Sequence, residues 1–328
     1  MNRHRTALSV LLSTGALVAG VLTAATPSVA ADSPASFRQQ HTAGFWTAER
    51  MRSATPLDVT AAPGRARTPV ATTAAPTSIA PTAASASPTS IAPTAASASP
   101  TAFPQAGGAW TGGGAVVKTS GRVFFTMGDR TASCSGDSIT SANGSTVITA
   151  GHCVKYQGAW HTNWVFVPAY NNGNAPYGQW SATKTFATDQ WAASEDMNMD
   201  VGLAVVAPQN GQTLSQVVGA QGILFNGGYN KKMYSFGFPA AAPYDGTKLV
   251  YCSGNSGKDF LLTKDHSLSC NMTGGSSGGP WFQDFNEATG LGTQVSVNSF
   301  GYNFLPNRMY GPYFGNEAKA AYDKAQTA

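Results

Sequence analysis

Apolar residues in the last two-thirds of the chain fall in short β-type runs separated by turn signals. The runs predict strands at residues 122–127, 145–149, 163–167, 201–206, 248–252, 260–263 and 294–300. Asn-Gly and Asp-Gly pairs mark turns at residues 172–173, 210–211, 226–227 and 245–246. Helical spacing is nearly absent before residues 317–328, which predict a short C-terminal helix. The pattern is typical of an all-β domain.

The region before about residue 105 has a different composition. A stretch of Pro, Thr, Ala and Ser at residues 76–87 contains one isoleucine and is repeated unchanged at residues 88–99. This repeat has too few apolar side chains to offset the entropy of ordering, so we expect it to be extended and disordered. Residues 37–51, with Phe45 and Trp46, predict a brief helix. We interpret residues 31–107 as a prosegment or disordered region, with a stalk or spacer as the alternative.

The N-terminus has the features of a signal peptide. Arg3 and Arg5 begin a basic start, residues 7–25 are mostly apolar, and Ser28-Val29-Ala30 has the small-x-small cleavage pattern. Serines, a threonine and glycines interrupt the apolar run, which argues against a membrane anchor. We expect residues 1–30 to be removed and the product to be secreted, extracellular and not bound to a membrane.

Charge and cysteine usage narrow the function classes further. The net charge is +4, and the excess lies before residue 106, so the remaining chain has no basic face that favours nucleic acid. The four cysteines allow three disulfide pairings. Because no Cys-x-x-Cys pair occurs and only one cysteine adjoins a histidine, we expect no metal site.

The hexapeptide from Gly275 to Pro280, of pattern Gly-x-Ser-Gly-Gly-Pro, carries the clearest candidate chemistry. A serine between glycines on a tight turn can expose its hydroxyl while nearby backbone N–H groups point at a developing oxyanion. Ser277 is therefore a candidate nucleophile, and Gly275 and Ser277 are candidate oxyanion donors.

A histidine and an acid occur upstream in suitable settings. His152 ends the β-branched run of residues 145–149, and Asp200 opens the apolar run of residues 201–206. With Ser277 they allow proton transfer by His152 and orientation of its ring by Asp200. Glu195 and Asp196 are the nearest rivals for the acid, but neither leads directly into the apolar strand.

Together, Thr149-Ala-Gly-His152-Cys153, Asp200-Val-Gly-Leu and Gly275-x-Ser277-Gly-Gly-Pro280 resemble the motifs of the chymotrypsin/trypsin-like serine peptidases. Within that family the chain most resembles the bacterial secreted branch that includes the glutamyl endopeptidases. The resemblance covers about residues 108–328. It implies two six-stranded antiparallel β-barrels with the site in the cleft between them, and a reaction that needs no cofactor.

The resemblance also implies pairings and binding residues. It pairs Cys134 with Cys153, which leaves Cys252 with Cys270. It places substrate binding at Met272, Thr273, Asn298, Ser299 and Gly301.

Two departures from the family are informative. Trypsin-like enzymes have an aspartate before the nucleophile that pairs with the freed N-terminal amine, whereas this chain has Ser276. Asn298 and Met272 stand where glutamate-specific members have a histidine and a threonine. We therefore expect a neutral specificity pocket, and a prosegment whose removal unblocks the cleft.

These features predict a secreted serine endopeptidase that is made as a zymogen and acts as a monomer on peptides or proteins. The peptidase domain is expected at residues 108–328. A non-catalytic extracellular binding protein on the same fold and an esterase are the alternatives.

Overall fold

The computed structural model describes residues 35–60, 74–85 and 102–328, which lie in one compact unit of residues 32–328. The strands are β1 (Ser36–Arg38), β2 (Thr55–Pro56), β3 (Thr77–Ile79), β4 (Gln105–Ala109), β5 (Ser120–Met127), β6 (Arg130–Ile139), β7 (Thr146–Thr149), β8 (Lys155–Tyr156), β9 (Ala159–Trp160), β10 (Thr162–Pro168), β11 (Trp180–Ala187), β12 (Gly202–Val206), β13 (Gly222–Phe225), β14 (Lys232–Gly237), β15 (Val250–Asn255), β16 (Gly257–Lys258), β17 (His266–Ser269), β18 (Pro280–Asn286), β19 (Leu291–Val297), β20 (Phe300–Tyr302) and β21 (Leu305–Gly311).

Helices are few and short. They are α1 (Ala48–Ser53), α2 (Val116–Thr119), α3 (Asp189–Ser194), α4 (Leu214–Val218) and α5 (Asn316–Gln326), with 3-10 turns at Gly151–Cys153 and Met197–Met199. Among the described residues, no helix combines the length and the hydropathy needed to cross a membrane.

The first half of the domain is a closed six-stranded barrel. Its strands pair antiparallel in the order β11-β10-β5-β6-β7-β12, and pairing of β12 with β11 closes the ring. Strands β7 and β12 are buried along their whole length. Helix α5 packs on β12, and the hydroxyl of Tyr322 on this helix donates to the carbonyl of Thr140 (2.7 Å). The C-terminal helix predicted from the sequence thus packs against this barrel.

The second half contains two sheets. One has the order β3-β13-β19-β18-β14-β15-β4, and the other has the order β16-β17-β21-β20. The chain passes from the first sheet to the second between β19 and β20, across Asn298 and Ser299. Backbone hydrogen bonds from Asn298 to Gly278 and Gly279 place this connection beside the turn that bears Ser277.

A shared core joins the two halves. One hydrophobic cluster contains Val123 and Trp164 from the barrel together with Phe300 and Tyr310 from the second half. The rings of Phe300 and Tyr310 stack with their centroids 5.1 Å apart. Because the core is continuous, any cleft between the halves has walls of fixed geometry.

The predicted strands are confirmed with one exception. All runs except residues 260–263 coincide with or overlap a strand. Residues 260–263 form a loop because the buried carboxylate of Asp259 accepts hydrogen bonds from the backbone N–H groups of Leu261, Leu262 and Thr263. A side chain that binds three successive amides holds the backbone in a turn and prevents extension.

The described N-terminal segments pack on the domain. Strand β1 pairs with β11, β2 pairs with β6, and α1 overlaps the end of the stretch, residues 37–51, for which a brief helix was expected. Strand β3 pairs antiparallel with β13, so the expectation of disorder is wrong for residues 77–79 of the first repeat. Pairing with an exposed strand edge supplies the hydrogen bonds that the composition could not predict. The second repeat, residues 88–99, lies outside the described residues.

A buried acid in the barrel makes stability depend on pH. Asp137 on β6 is fully buried, and its Oδ1 accepts the hydroxyl of Ser120 (2.9 Å). Burial raises the pKa of this carboxyl from 3.8 to about 8. Between these pH values the folded protein keeps a proton that the unfolded chain releases. Asp137 therefore lowers the stability of the fold progressively as the pH rises through this window.

We expect Asp137→Asn, which carries no charge, to become increasingly stabilising relative to wild type as the pH rises from 4 to 8. The difference should grow by up to about 1.4 kcal/mol per pH unit. Urea unfolding at pH 4, 6 and 8 measures it, and Asp129→Asn in the exposed turn after β5 is the control. A difference that does not change with pH would contradict the assignment.

Candidate active site

His152 lies on the 3-10 turn that directly follows β7. Its imidazole is fully buried, and Nδ1 lies 2.7 Å from Oδ2 of Asp200. Gly151 permits this approach, because a Cβ at that position would lie 2.7 Å from the Trp191 ring and 2.9 Å from Oδ1 of Asp200. A side chain at residue 151 would therefore separate the histidine turn from the acid.

Asp200 lies just before β12, which pairs with β7 through Gly202 and Thr149. This pairing brings the ends of the two strands, and hence His152 and Asp200, together. The buried carboxylate accepts the backbone N–H of His152 at Oδ1 (2.7 Å), Nδ1 of the same residue at Oδ2, and the Ser299 hydroxyl at Oδ2 (2.5 Å). Three donors satisfy the carboxylate and fix the imidazole with Nε2 facing away from it.

The two rival acids bind other groups. Oδ1 of Asp196 accepts the backbone N–H of Asn198 (3.1 Å), and Oε1 of Glu195 accepts the backbone N–H of Gly158 (2.9 Å). Nδ1 of His152 lies 2.7 Å from Oδ2 of Asp200, so the geometry favours Asp200 as its partner.

A second buried histidine supports the His152 turn. Nε2 of His161 donates to the backbone carbonyl of His152 (2.9 Å). Burial lowers the pKa of His161 to about 4, so this ring is neutral near pH 7. Nothing in the local sequence distinguishes His161 from a surface histidine, since the contact is made only in the folded chain.

Ser277 lies on the turn that precedes β18. Its carbonyl accepts the backbone N–H of Ser135 (2.7 Å). Gly278 has φ +82°, and a Cβ there would lie 2.0 Å from Oγ1 of Thr149. The turn can therefore pack against the end of β7, next to His152, only because residue 278 has no side chain. Nε2 of His152 is buried and has no hydrogen-bond partner among the described residues.

The peptide between Gly274 and Gly275 carries one of the two candidate oxyanion donors. The carbonyl of Gly274 accepts the backbone N–H groups of Ala240 (2.8 Å) and Ala241 (3.2 Å). Since the C=O and N–H of one trans peptide point in opposite directions, these bonds turn the N–H of Gly275 away from residues 240–241. That N–H donates to the carbonyl of Leu57 (2.9 Å).

A pocket of about 250 Å³ opens beside Ser277. Of the predicted substrate-binding residues, Met272, Thr273, Ser299 and Gly301 line it, whereas Asn298 does not. The Asn298 side chain is fully buried behind the nucleophile turn.

The pocket wall also contains a charged side chain that the sequence analysis did not predict. Arg308 on β21 lines the pocket, and its Nη2 donates to the hydroxyl of Ser267 (3.2 Å). This guanidinium differs from the neutral lining that we expected. Residue 308 reaches the pocket through the pairing of β21 with β20, which no local motif signals.

Residues 55–60, which we call the cleft segment, cross the site. Thr55 and Pro56 pair with β6, and the N–H of Leu57 donates to the carbonyl of Ser133 (2.9 Å). Asp58 and Thr60 line the same pocket as Ser277. The pKa of Asp58 is raised because the cleft walls partly desolvate its carboxyl, and the charge of His152 opposes this rise. The other side of the residue stays exposed to solvent.

Two solved protease structures are similar to this chain in both fold and sequence. The protease Anisep from Arthrobacter nicotinovorans is 46% identical with a TM-score of 0.61, over 64% of this chain and 96% of that one. The thermostable serine protease AL20 from an extremophilic microorganism is 40% identical with a TM-score of 0.62, over 65% and 99%. The chain belongs to the trypsin-like serine proteases. This family consists of hydrolases.

Other comparisons are more limited. A Glu endopeptidase structure is 15% identical with a TM-score of 0.55, over 68% of this chain and 98% of that one, and shares the fold of this trypsin-like protease. A curated relative, the "Extracellular metalloprotease" of Bacillus subtilis (strain 168), is 36% identical over 73 residues, which are 22% of this chain and 23% of that protein. The match thus spans about a quarter of the relative's length. No family model matches the chain.

Disulfides fix both halves of the trypsin-like protease. Cys134 is bonded to Cys153 and Cys252 to Cys270, which confirms the predicted pairing. The first bond ties β6 to the turn of His152. Among the described residues, Cys134, Cys153 and His152 are also close enough to suggest a metal site. Their two sulfurs are bonded to each other, so this group does not fit a metal ion.

Removing the Ser299 hydroxyl tests whether its hydrogen bond to Asp200 contributes to catalysis. We expect Ser299→Ala to lower kcat for peptide hydrolysis about tenfold to 100-fold, because a hydrogen bond to a charged group contributes about 1.5–3 kcal/mol. Ser296→Ala is a matched control, since Ser296 is equally buried but donates to the carbonyl of Pro312 (2.8 Å). Equal kcat values for the two variants would show that Ser299 does not act through Asp200.

Proposed function

We propose that the chain is a secreted serine endopeptidase that hydrolyses peptide bonds through His152, Asp200 and Ser277. The observation that carries the proposal is the hydrogen-bonded pair of buried His152 and Asp200 beside the glycine-rich turn of Ser277. The similarity to solved proteases, at 40–46% identity, supports it.

Each residue then has a defined role in the reaction. Ser277 Oγ forms a bond to the peptide carbonyl carbon while Nε2 of His152 takes its proton. The N–H groups of Gly275 and Ser277 bind the oxyanion. The C–N bond breaks as His152 returns the proton to the leaving amine, and water then hydrolyses the acyl-enzyme by the same proton transfers. Asp200 orients the ring and stabilises its charged form throughout.

Secretion is part of the proposal. Two disulfides are typical of proteins that fold in an oxidising compartment. The curated relative is named an extracellular protein. The signal peptide of residues 1–30 lies outside the described residues and stays a prediction.

A fluorophosphonate probe tests the proposed chemistry. We expect the probe to label Ser277 of the secreted protein, and Ser277→Ala and His152→Ala each to abolish labelling because one removes the nucleophile and the other its base. Peptide mapping by mass spectrometry locates the label. Hydrolysis of simple esters without any peptide cleavage would favour the esterase. No labelling after removal of the N-terminal segment would favour the binding protein.

We also propose that the chain is a zymogen in which the cleft segment blocks the site. Leu57 is buried between the two halves, and its carbonyl accepts the Gly275 N–H that would bind the oxyanion. A substrate cannot use this donor while Leu57 occupies it.

The direction of the cleft segment explains how it can resist cleavage. The half of a substrate that stays on Ser277 as the acyl group is its N-terminal half, and its side chain enters the pocket beside Gly301. The leaving half then lies toward Ser133. The cleft segment has the opposite direction, because it pairs in parallel with β6 near Ser133 first and reaches a parallel bridge between Thr60 and Gly301 afterwards. It therefore fills the cleft with the reverse polarity of a substrate.

We expect Leu57→Asp to increase the rate of fluorophosphonate labelling of the full chain roughly tenfold or more, because burying a leucine contributes about 1.5–3 kcal/mol. A peptide of residues 53–62 should inhibit the active enzyme competitively without being cut. Phe37→Asp, on β1 away from the cleft, and a scrambled peptide are the controls.

Two results would contradict the blocking role of the cleft segment. One is cleavage of the peptide between Leu57 and Asp58, which would make the segment a substrate. The other is labelling of Leu57→Asp at the wild-type rate in a protein that has kept its N-terminal segment, as shown by intact mass.

A further inference from the structure

The peptide between Ser276 and Ser277 must be held for its N–H to face an oxyanion. The residue before the nucleophile is uncharged Ser276, whose hydroxyl donates to the carbonyl of Thr273 (2.8 Å). This short local bond closes a turn and reaches no other part of the protein. The ordering of the Ser277 N–H therefore requires a different anchor.

The side chain of Asn298 makes that connection. Asn298 is fully buried, and its Nδ2 donates to the carbonyls of Ser276 (3.1 Å) and Phe236 (2.9 Å). Its backbone adds two bonds to the same turn: its carbonyl accepts the N–H of Gly278 (2.7 Å), and its N–H donates to the carbonyl of Gly279 (2.8 Å). One residue thus ties the nucleophile turn to strand β14.

The orientation of the Asn298 amide is determined by its partners. Oδ1 accepts the hydroxyl of Ser235 (2.7 Å) and Nε1 of Trp281 (2.7 Å). The indole N–H can only donate, so the oxygen must face Trp281 and the NH2 group must face Ser276. All four hydrogen-bonding positions of the amide are then satisfied.

A fixed carbonyl at Ser276 fixes the next N–H. The two groups belong to one planar trans peptide and point in opposite directions. The bond from Asn298 therefore directs the N–H of Ser277 away from β14. The N–H of Gly279 also binds the Ser276 carbonyl (3.0 Å), but it belongs to the same turn and moves with it.

We propose that Asn298 is a positioning residue that keeps the oxyanion hole formed by orienting the Ser276–Ser277 peptide. It takes the place of the charged pair between an aspartate and a new N-terminus. The sequence placed Asn298 among the substrate-binding residues, whereas this role acts through the backbone and does not require contact with substrate. The inference rests on the proposed peptidase function.

Asn298→Asp tests this role because a carboxyl group has a similar shape but at most one O–H donor, so it cannot hold the Ser276 and Phe236 carbonyls together as the amide does. We expect kcat to fall roughly 10²–10³-fold, the loss typical of one oxyanion donor, with KM nearly unchanged. Affinity for a peptide boronate, which forms a tetrahedral adduct on serine, should fall in parallel. Affinity for a non-covalent product peptide should stay the same.

Gln221→Glu is the matched control. Gln221 is also a fully buried amide, and it donates to Thr119 (3.0 Å) and Gly290 (2.9 Å), neither of which belongs to the nucleophile turn. This variant should lose stability yet keep the wild-type kcat per folded molecule. Folded fractions are measured by circular dichroism on the same activated preparation whose kcat is determined.

A milder variant covers the case in which Asn298→Asp does not fold. Ser235→Ala removes one of the two donors that hold Oδ1, and a single hydrogen bond of about 0.5–1.5 kcal/mol corresponds to a twofold to tenfold loss of kcat. A wild-type kcat in folded variants of both Asn298 and Ser235, or an equal loss in Gln221→Glu, would overturn the positioning role. A folded wild-type protein without any turnover after removal of its N-terminal segment would instead overturn the proposed function, and this role with it.

Discussion

A fully buried carboxylate at the junction of the two halves organises the site. An acid without donors at this depth would strongly destabilise the fold, so Asp200 must be surrounded by hydrogen-bond donors. They come from the His152 turn of the barrel and from Ser299 of the second half. The same bonds that satisfy Asp200 therefore hold the imidazole and fix the walls of the cleft. The position of the imidazole relative to both halves depends on this contact.

The nucleophile turn is ordered by neutral hydrogen bonds. The carbonyls of Gly274 and Ser276 are both held by donors outside the turn, from residues 240–241 and from Asn298. Neither bond requires a new N-terminal charge, so the proposed oxyanion donors need no freed N-terminus to be ordered. In the zymogen that we propose, latency comes from blocking of the cleft, and the bond from Gly275 to Leu57 is the observation behind that proposal.

The N-terminal segment illustrates how tertiary contacts override composition. The first repeat has the composition of a disordered chain, yet Thr77–Ile79 pairs with β13 because that strand offers an unpaired edge. Similarly, residues 260–263 are apolar and β-prone, but the Asp259 carboxylate binds their amides and holds a loop. In both cases a hydrogen-bonding partner decided the conformation, and the local pattern of side chains could not reveal it.

The sequence by itself determined the all-β class, the C-terminal helix, the two disulfides through the family resemblance, and the residues around which the candidate site is built. These features depend on side-chain periodicity and on short motifs, which are local. Only the tertiary structure decided that Asn298 lies behind the nucleophile turn, that Arg308 reaches the pocket, and that the cleft segment pairs in parallel with β6 and with Gly301. The physical reason is that these features depend on which backbone groups meet across strands far apart in the chain, and that is settled only when the two halves pack together.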